Sequence, residues 1–150
     1  MKWFLIFLTF IKFSGAVKAQ TAEDSVKIVI SKLFDGMKNS DAALLKSAFA
    51  DSAILQTITK DKSSKTVIET DKVEDFAALV SKLTKGDADE RIVYDMIKID
   101  GPLAIVWAPY NFYYKGVFSH CGIDSFQLVK INGEWKIQYL IDTRRKAGCQ

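Results

Sequence analysis

The sequence predicts an α+β domain in which a cone-shaped, curved antiparallel sheet wraps around three N-terminal helices. Three stripes of apolar residues at helical spacing precede residue 84, and four long segments of alternating polarity fill residues 90–145. The pairs Asp100-Gly101, Lys115-Gly116 and Asn132-Gly133 separate these segments, and such X-Gly pairs are typical of two-residue hairpin turns. Because a sheet with one apolar face has to be covered, we expect the helices to pack on it.

The first nineteen residues have the pattern of a secretory signal peptide. Lys2 provides a basic start, residues 3–11 are apolar, and Val17-Lys18-Ala19 has the small-x-small form of a cleavage site. The alternative is an anchoring helix, but Lys12 interrupts the apolar run well short of the ~20 residues that span a bilayer. We therefore expect an exported protein, periplasmic or secreted, with a single domain over residues 20–150.

Charge and composition argue against several classes of partner. Cleavage after residue 19 removes Lys2, Lys12 and Lys18 and no acidic residue, so the formal charge falls from +3 to zero. A neutral domain disfavours nucleic acid and the membrane surface as partners. One histidine, two cysteines and no phosphate-binding glycine loop give no metal site, and we expect no cofactor.

Three helices are predicted from the apolar stripes. The first covers residues 22–38, with Thr21 and Asp24 as a capping box. The second starts at Ser40 or Asp41, and the third covers residues 73–83 with Asp71 and Glu74 as cap and box. Between them, residues 53–59 and 65–70 are rich in Thr, Ile and Val and predict a peripheral hairpin.

The turns also predict which strand residues share the inner face of the sheet. Two-residue loops place Trp107 opposite Asp124 and Asn111 opposite His120, all facing inward. A three-residue loop at 114–116 would instead turn Tyr110 inward, together with Phe112. Pro109 and Gly122 both favour a bulge nearby, so the two alternatives stay open.

Two inward-facing residues are candidates for catalysis. His120 is the only histidine, and its ordinary pKa suits a general base or a hydrogen-bond donor to a ligand. Asp124 would orient its ring only if a bulge at Gly122 shortened the roughly 13 Å that four strand positions impose. The alternatives are a structural histidine bonded to Asn111 and an aspartate bonded to Trp107.

A ligand pocket is expected around these two residues. Buried tyrosine and tryptophan side chains combine apolar area with a polar group, which suits a flat organic ligand. Arg145 is expected opposite His120, where it would bind a carboxylate or phosphate, unless it belongs to a solvated terminal charge cluster. The candidate ligand-binding residues are Tyr94, Trp107, Asn111, Tyr113, Tyr139 and Arg145.

The two cysteines are candidates for a disulfide. In an oxidising compartment Cys121 and Cys149 tend to pair if the geometry allows, and the register places Arg144 opposite Cys121. A short C-terminal tail would then bring Cys149 over Cys121. The alternative is two unrelated thiols.

The outer face of the predicted sheet is too apolar for a free surface, which favours a homodimer. Its apolar members are Val93, Ile97, Val106, Tyr110, Phe112, Ile123 and Leu140.

The order of elements, together with four segments of the C-terminal half, resembles the nuclear transport factor 2-like superfamily. Those segments are Phe118-Ser119-His120-Cys121-Gly122, residues 125–130, Trp135-Lys136-Ile137 and residues 142–145. More narrowly, the chain is similar to small exported bacterial proteins labelled as lumazine-binding and to SnoaL-like proteins. The resemblance implies the fold and often a dimer through the sheet, but it implies no reaction, because this scaffold carries many functions.

Three functions are therefore compatible with the sequence. The first is an exported protein that binds a small, partly aromatic or acidic organic molecule in a conical pocket. The second is a cofactor-free isomerase or dehydratase that uses His120 as its base. The third is a dimeric interaction protein without a ligand.

Overall fold

The computed structural model describes residues 21–149, which form three helices and seven strands. In chain order the elements are α1 (Ala22–Asn39), α2 (Ala42–Ser47), β1 (Phe49–Lys60), β2 (Thr66–Asp71), α3 (Val73–Val80), β3 (Ala88–Ile92), β4 (Met96–Asp100), β5 (Leu103–Tyr114), β6 (Val117–Ile131) and β7 (Glu134–Thr143). Among these residues no helix has the length and apolar character needed to cross a membrane. The predicted signal peptide lies outside the described residues.

The first helix starts at the predicted capping box. The Thr21 hydroxyl accepts from the Asp24 amide at 3.1 Å, and the Thr21 amide donates to Asp24 Oδ2 at 3.1 Å. Near the end of α1, a Cβ on Gly36 would lie 2.6 Å from the Leu45 amide nitrogen of α2. Glycine therefore lets α1 and α2 pack closely, as the predicted helix corner requires.

The other two helices differ in how they begin. Asp41 caps α2 as predicted, because its carboxylate accepts from the Leu44 amide at 2.9 Å. The predicted cap of α3 is wrong: its N-cap is Lys72, which makes no side-chain capping bond. Asp71 is unavailable there because it is the last residue of β2, where it pairs with Leu55.

The strands form one curved, unclosed sheet in the order β2-β1-β7-β6-β5-β3, with β4 also paired to β5. The predicted α+β fold class is confirmed, but the hairpin of β1 and β2 is not peripheral. Strand β1 runs parallel to β7, with Leu55 paired to Leu140, and it extends from Phe49 to Lys60. The segment predicted as one strand over residues 90–100 is split into β3 and β4.

A bulge in β6 reverses the predicted orientation of β5. The turn after β5 has two residues as predicted, since Tyr114 pairs with Val117, but Tyr113 pairs with Phe118 and Phe112 with His120. Ser119 is therefore an extra residue, and beyond it every pair is shifted by one position. The inward residues of β5 are Ala104, Val106, Ala108, Tyr110 and Phe112, and the outward ones are Leu103, Ile105 and Trp107.

A second bulge occurs between β6 and β7. Leu128 pairs with Ile137, but Gln127 pairs with Tyr139, so Gln138 is the extra residue. The predicted inner face of β7 is correct on the N-terminal side of this bulge, where Trp135 and Ile137 are buried. After it, Leu140 and Asp142 face inward in place of the predicted Tyr139 and Ile141.

The core lies between the inner face of the sheet and the apolar stripes of the helices. Leu33 and Ile30 of α1 and Val80 of α3 are almost fully buried, as are Phe126 and Ile137 of the sheet. The ring of Phe34 meets that of Phe126 edge-on, with centroids 6.3 Å apart. Helix side chains therefore fill one part of the cone, and the site described below occupies another.

The structure contains the predicted disulfide. Cys121 of β6 is bonded to Cys149, with their Cα atoms 5.8 Å apart. The residue opposite Cys121 is Arg145 rather than the predicted Arg144, because the bulge at Gln138 shifts β7 by one position. The bond holds the C-terminal segment against β6.

Candidate functional site

An internal cavity of about 90 Å³ lies between α1, α3, β1 and the inner face of the sheet. We call it the chamber. Its lining combines apolar and ionisable groups: Leu33, Phe34, Met37, Leu55, Gln56, Thr57, Asp71, Phe76, Glu90, Tyr110, His120, Asp124, Leu140, Asp142 and Arg144.

A wider pocket of about 410 Å³ shares part of this lining, and we call it the vestibule. The residues common to both are Met37, Asp71, Phe76, Glu90, His120 and Arg144. The remaining walls of the vestibule are mainly apolar and come from α3, β3 and β5. Its volume falls in the range of small-molecule sites.

Strand register brings the ionisable groups of the chamber together. Asp124 of β6 lies directly opposite Asp142 of β7, and Ala108 of β5 faces Asp124 on its other side. On β3, Glu90 pairs with Phe112, so it shares the inner face with that residue. Strands β3, β5, β6 and β7 thus each direct a polar side chain into the chamber. A core that served only to stabilise the fold would not require polar groups there.

Asp142 accepts hydrogen bonds from three side chains. Thr57 Oγ1 donates to its Oδ1 at 2.6 Å, and Arg144 Nε donates to its Oδ2 at 2.9 Å. The Tyr110 hydroxyl lies 3.2 Å from Oδ2. Arg144 also donates to Thr57 Oγ1 at 3.0 Å. The buried charge of Asp142 is therefore compensated by protein groups.

Gly122 makes the position of Tyr110 possible. The two residues pair across β5 and β6, and a Cβ on Gly122 would lie 2.7 Å from Tyr110 Cε1 and overlap Thr143 O. Without that Cβ, the Tyr110 hydroxyl shares its single proton between Thr143 O at 2.9 Å and Asp142 Oδ2 at 3.2 Å. Burial, with the nearby carboxylates, raises the pKa of Tyr110, which keeps its hydroxyl protonated.

Glu90 and Asp124 line the chamber together as a pair of interacting carboxyl groups. Burial raises the pKa of Glu90 to about 7 and raises that of Asp124 well above its ordinary value, with the mutual repulsion of the two groups adding to the effect on Asp124. Asp124 is only 3 % exposed, and its Oδ2 is buried without a hydrogen-bond partner among the described residues. The pair therefore keeps at least one proton near neutral pH and has one unused acceptor.

The structure places His120 in the chamber lining. Its Nδ1 lies 3.0 Å from Ser119 Oγ, and its ring packs against Phe112 and Tyr110 at centroid distances of 4.9 and 5.8 Å. Burial, followed by the charge of Arg144, lowers the pKa of His120, so the ring is neutral at pH 7. The structure gives His120 a contact with Ser119 and Asp124 an interaction with Glu90, and the predicted dyad of His120 and Asp124 stays a prediction.

Three of the predicted ligand-binding residues on β5 lie outside the chamber lining. Trp107 is 43 % exposed on the outer face, and Asn111 pairs with Cys121 beside a separate cavity. Tyr113 lies under the Arg91 guanidinium, whose carbon is 4.2 Å from the ring centroid. The physical reason is the bulge at Ser119, which inverts this strand.

The other three predicted ligand-binding residues are also elsewhere. The Tyr94 hydroxyl donates to Lys27 O at 3.3 Å, and the Tyr139 hydroxyl donates to Gln56 Oε1 at 2.6 Å. Arg145 donates to Gly148 O at 3.4 Å in the C-terminal segment. The cation in the chamber is its neighbour Arg144, because β7 is shifted by its bulge.

Sequence reasoning missed most of the polar chamber residues. Tyr110 faces inward only in the alternative with a longer loop, and the sequence assigns Glu90 no role in the site. One available signal is the alternation of large and small residues from Leu103 to Ala108, which suits a strand packed closely against helices. The described residues contain no His, Cys, Asp and Glu group arranged to hold a metal.

Solved structures with the same fold are numerous, and they share little sequence with this chain. A nuclear transport factor 2-like protein of unknown function from Shewanella baltica OS155 is 18 % identical, with a TM-score of 0.64 over 83 % of this chain and 94 % of that one. A protein of unknown function with a cystatin-like fold from Nostoc punctiforme PCC 73102 is 14 % identical, with a TM-score of 0.65 over 87 % and 97 %. These similarities confirm the predicted nuclear transport factor 2-like fold.

No curated protein matches the chain. A family model does match, over residues 21–139, which is most of the described domain and includes Glu90, Tyr110, His120 and Asp124. The chain therefore belongs to the family described as "Putative lumazine-binding", and it has the nuclear transport factor 2-like fold.

Proposed function

We propose that this protein binds a small organic molecule that enters through the vestibule and places a polar group in the chamber. The family description points to small-molecule binding. The observation that carries the proposal is the unsatisfied Oδ2 of Asp124, in a carboxyl pair that lines an internal cavity. A ligand with hydrogen-bond donors would satisfy that oxygen.

A purely structural role explains this arrangement poorly. Leaving a buried acceptor without a partner costs about 1–3 kcal/mol, and apolar residues of similar volume would avoid that cost. By contrast, Asp142 shows what a satisfied carboxylate looks like in this fold, since it has three donors. Local destabilisation of this kind is typical of binding and catalytic sites.

The walls of the two cavities suit a ligand that is polar at one end and flat or apolar at the other. Phe34 and Phe76 contribute aromatic surface to the chamber, and Phe112, Leu79 and Leu83 line the vestibule. Apolar walls supply most of the binding free energy in such sites, while a few polar groups fix orientation. We expect the polar end to lie toward Glu90 and Asp124.

The test is a thermal-shift screen of residues 20–150 against cationic, neutral and anionic small molecules. Met37 lines both cavities, so Met37→Trp would fill them, whereas Ile68→Trp places the same side chain at an exposed position of β2. We expect ligands to raise the melting temperature of the wild type and of Ile68→Trp but not of Met37→Trp. If no molecule in the screen shifts the wild type, the binding proposal fails.

A second candidate function is cofactor-free proton transfer. A group with a pKa near the working pH is the most efficient general base, and Glu90 meets this condition with a pKa of about 7. We therefore assign the role of general base to Glu90 instead of His120, the base predicted from the sequence. For a ligand found in the screen, NMR in D₂O should show exchange of a carbon-bound hydrogen that Glu90→Gln abolishes. Equal exchange with and without protein would eliminate this candidate.

We also propose that the outer face of the sheet forms a homodimer. The bulge at Ser119 changes its predicted apolar members, because Leu103, Ile105 and Trp107 now face outward. With Met96 they form a stripe of exposed large apolar side chains across β4 and β5, of a kind that often marks an interface. Sedimentation of Trp107→Asp should show a monomer where the wild type shows a dimer. A monomeric wild type would exclude this interface.

Export remains part of the proposal. The disulfide between Cys121 and Cys149 supports it, because such bonds persist mainly in oxidising compartments. Mass spectrometry of the protein recovered from its native cells should show a chain that begins at Gln20 and contains no free thiol. An uncleaved Met1 start in a reduced chain would contradict export.

A further inference from the structure

We propose that the chamber selects compact protonated nitrogen bases that present two adjacent N–H donors, such as an amidinium or an aminopyrimidinium group. The donors would bind the carboxyl pair of Glu90 and Asp124. This inference rests on the proposed binding function and specifies the class of ligand.

The first argument is the charge balance of the site. Arg144 is bonded to Asp142, and no salt bridge among the described residues involves Glu90 or Asp124. A buried carboxyl pair without a cationic partner disfavours an anionic ligand and favours a cation. His120 adds no charge, because its ring is neutral at pH 7.

The second argument is the number of acceptors that the pair offers. Asp124 Oδ2 has no hydrogen-bond partner among the described residues, and Glu90 lines the same chamber. Two parallel N–H groups on a planar cation match carboxyl oxygens better than a single ammonium group does, since both hydrogen bonds form in one geometry. When such a ligand binds, the pair keeps one proton, and the positive charge of the ligand balances the charge of the single carboxylate.

The third argument is size. A water needs about 10–15 Å³ of this kind of volume, so a chamber of about 90 Å³ holds a planar head group but little more. The rest of the ligand would lie in the vestibule of about 410 Å³, between Phe76 and Phe112. The site therefore fits a nitrogen base at the end of an apolar or aromatic body.

Binding of such a cation would release a proton. The other charged or titratable groups around the pair are Asp142 and Arg144 on the β7 side, Tyr110 on β5, His120 on β6 and Asp71 of β2. The helices contribute only apolar side chains to the chamber, from Leu33, Phe34, Met37 and Phe76. Because the pair carries this single charge only after it has lost the first of its two protons, we expect affinity for the cation to rise with pH through about 7.

The test is calorimetric titration of residues 20–150 with three probes of one shape: benzamidinium, neutral benzamide and anionic benzoate. At pH 8 we expect benzamidinium to bind at least tenfold more tightly than the other two, with about a tenfold loss of affinity between pH 8 and pH 6. Glu90→Gln and Asp124→Asn should each weaken its binding at least tenfold and abolish the pH dependence. The matched control is Glu69→Gln on β2, whose side chain is exposed outside the chamber lining.

Other outcomes separate this inference from the binding proposal. If benzamide or benzoate binds as tightly as benzamidinium, or if affinity for the cation is independent of pH, the ligand class is wrong while the chamber remains a binding site. If other ligands bind in the thermal-shift screen but benzamidinium does not, the ligand class is again wrong and the chamber remains a binding site. A folded Glu90→Gln protein, verified by its melting curve, that binds benzamidinium like the wild type would also overturn the inference.

Discussion

Glu90 of β3 and Asp124 of β6 line the same chamber and interact as a carboxyl pair, although β5 lies between their two strands. The contact joins the strand that follows α3 to the long strand in the middle of the sheet. Neither carboxyl has a salt-bridge partner among the described residues, and nearby Asp142 takes the arginine. This division of roles makes the pair reactive toward protons and ligands, whereas Asp142 serves structure.

Glu90 is expected to make the free energy of unfolding fall as pH rises from about 4.5 to about 7. The folded protein holds the proton of Glu90 up to a pKa of about 7, and the unfolded chain loses it near 4.5, so ionisation between these values favours the unfolded state. The effect is at most about 3 kcal/mol. Urea titrations of the wild type and Glu90→Gln at pH 5 and pH 8 measure it. Equal pH dependence in the two proteins would contradict the raised pKa.

Thr57→Val is expected to destabilise the protein by about 1–3 kcal/mol. Its hydroxyl donates to Asp142 and accepts from Arg144, so the valine leaves the buried carboxylate and the half-exposed guanidinium each with a missing partner. Thr66→Val on the exposed β2 strand is the matched control and should have little effect. Chemical denaturation of both variants measures the change in the free energy of unfolding. If Thr57→Val loses no more stability than the control, the hydrogen bonds among Thr57, Asp142 and Arg144 contribute little.

Gly122→Ala is expected to destabilise the protein by about 3 kcal/mol or more. The added methyl group would overlap Thr143 O and touch the Tyr110 ring, and the backbone oxygen cannot rotate away. Because Tyr110 lines the chamber, the variant should also weaken ligand binding. Its melting temperature and the calorimetric affinity for a bound probe measure the two effects. A stable variant with unchanged affinity would show that β6 and β7 separate easily.

Cys149→Ser is expected to lower the free energy of unfolding by about 3–4 kcal/mol, on the chain-entropy model for a loop closed across 28 residues. The C-terminal segment that carries Arg145 would also lose its attachment to β6. Denaturation with and without reductant measures the effect in the wild type. Cys149→Ser should not respond to reductant, and a wild type that is equally insensitive would exclude a stabilising disulfide.

Local sequence signals predicted the elements well where one pattern was dominant. The stripe from Val26 to Met37 and the capping box at Thr21 predicted α1, and the X-Gly pairs predicted three turns. The cysteine count and the expected compartment predicted the pairing of Cys121 with Cys149. In each case a short-range physical preference decided the outcome without help from the rest of the chain.

The same reasoning failed where both faces of a strand are apolar. In β5 the set with Val106 and the set with Trp107 are equally hydrophobic, so periodicity does not select the inner one. Orientation was then inferred from the turn at Lys115-Gly116, and the extra residue Ser119 reversed it. A second extra residue, Gln138, shifts β7 by one position, so Arg144 lies at the site where Arg145 was predicted.

By itself, the sequence determined the helices and the hairpin turns and favoured the disulfide, because each depends on residues close in the chain or on chemistry that needs no register. Only the tertiary structure decided which residues meet in the chamber. Glu90, Tyr110, Asp124 and Asp142 come from four strands, and their meeting depends on two bulges whose positions are set by packing across the sheet. A shift of one residue in a strand moves every side chain to the opposite face, so the site is a property of register rather than of any local motif.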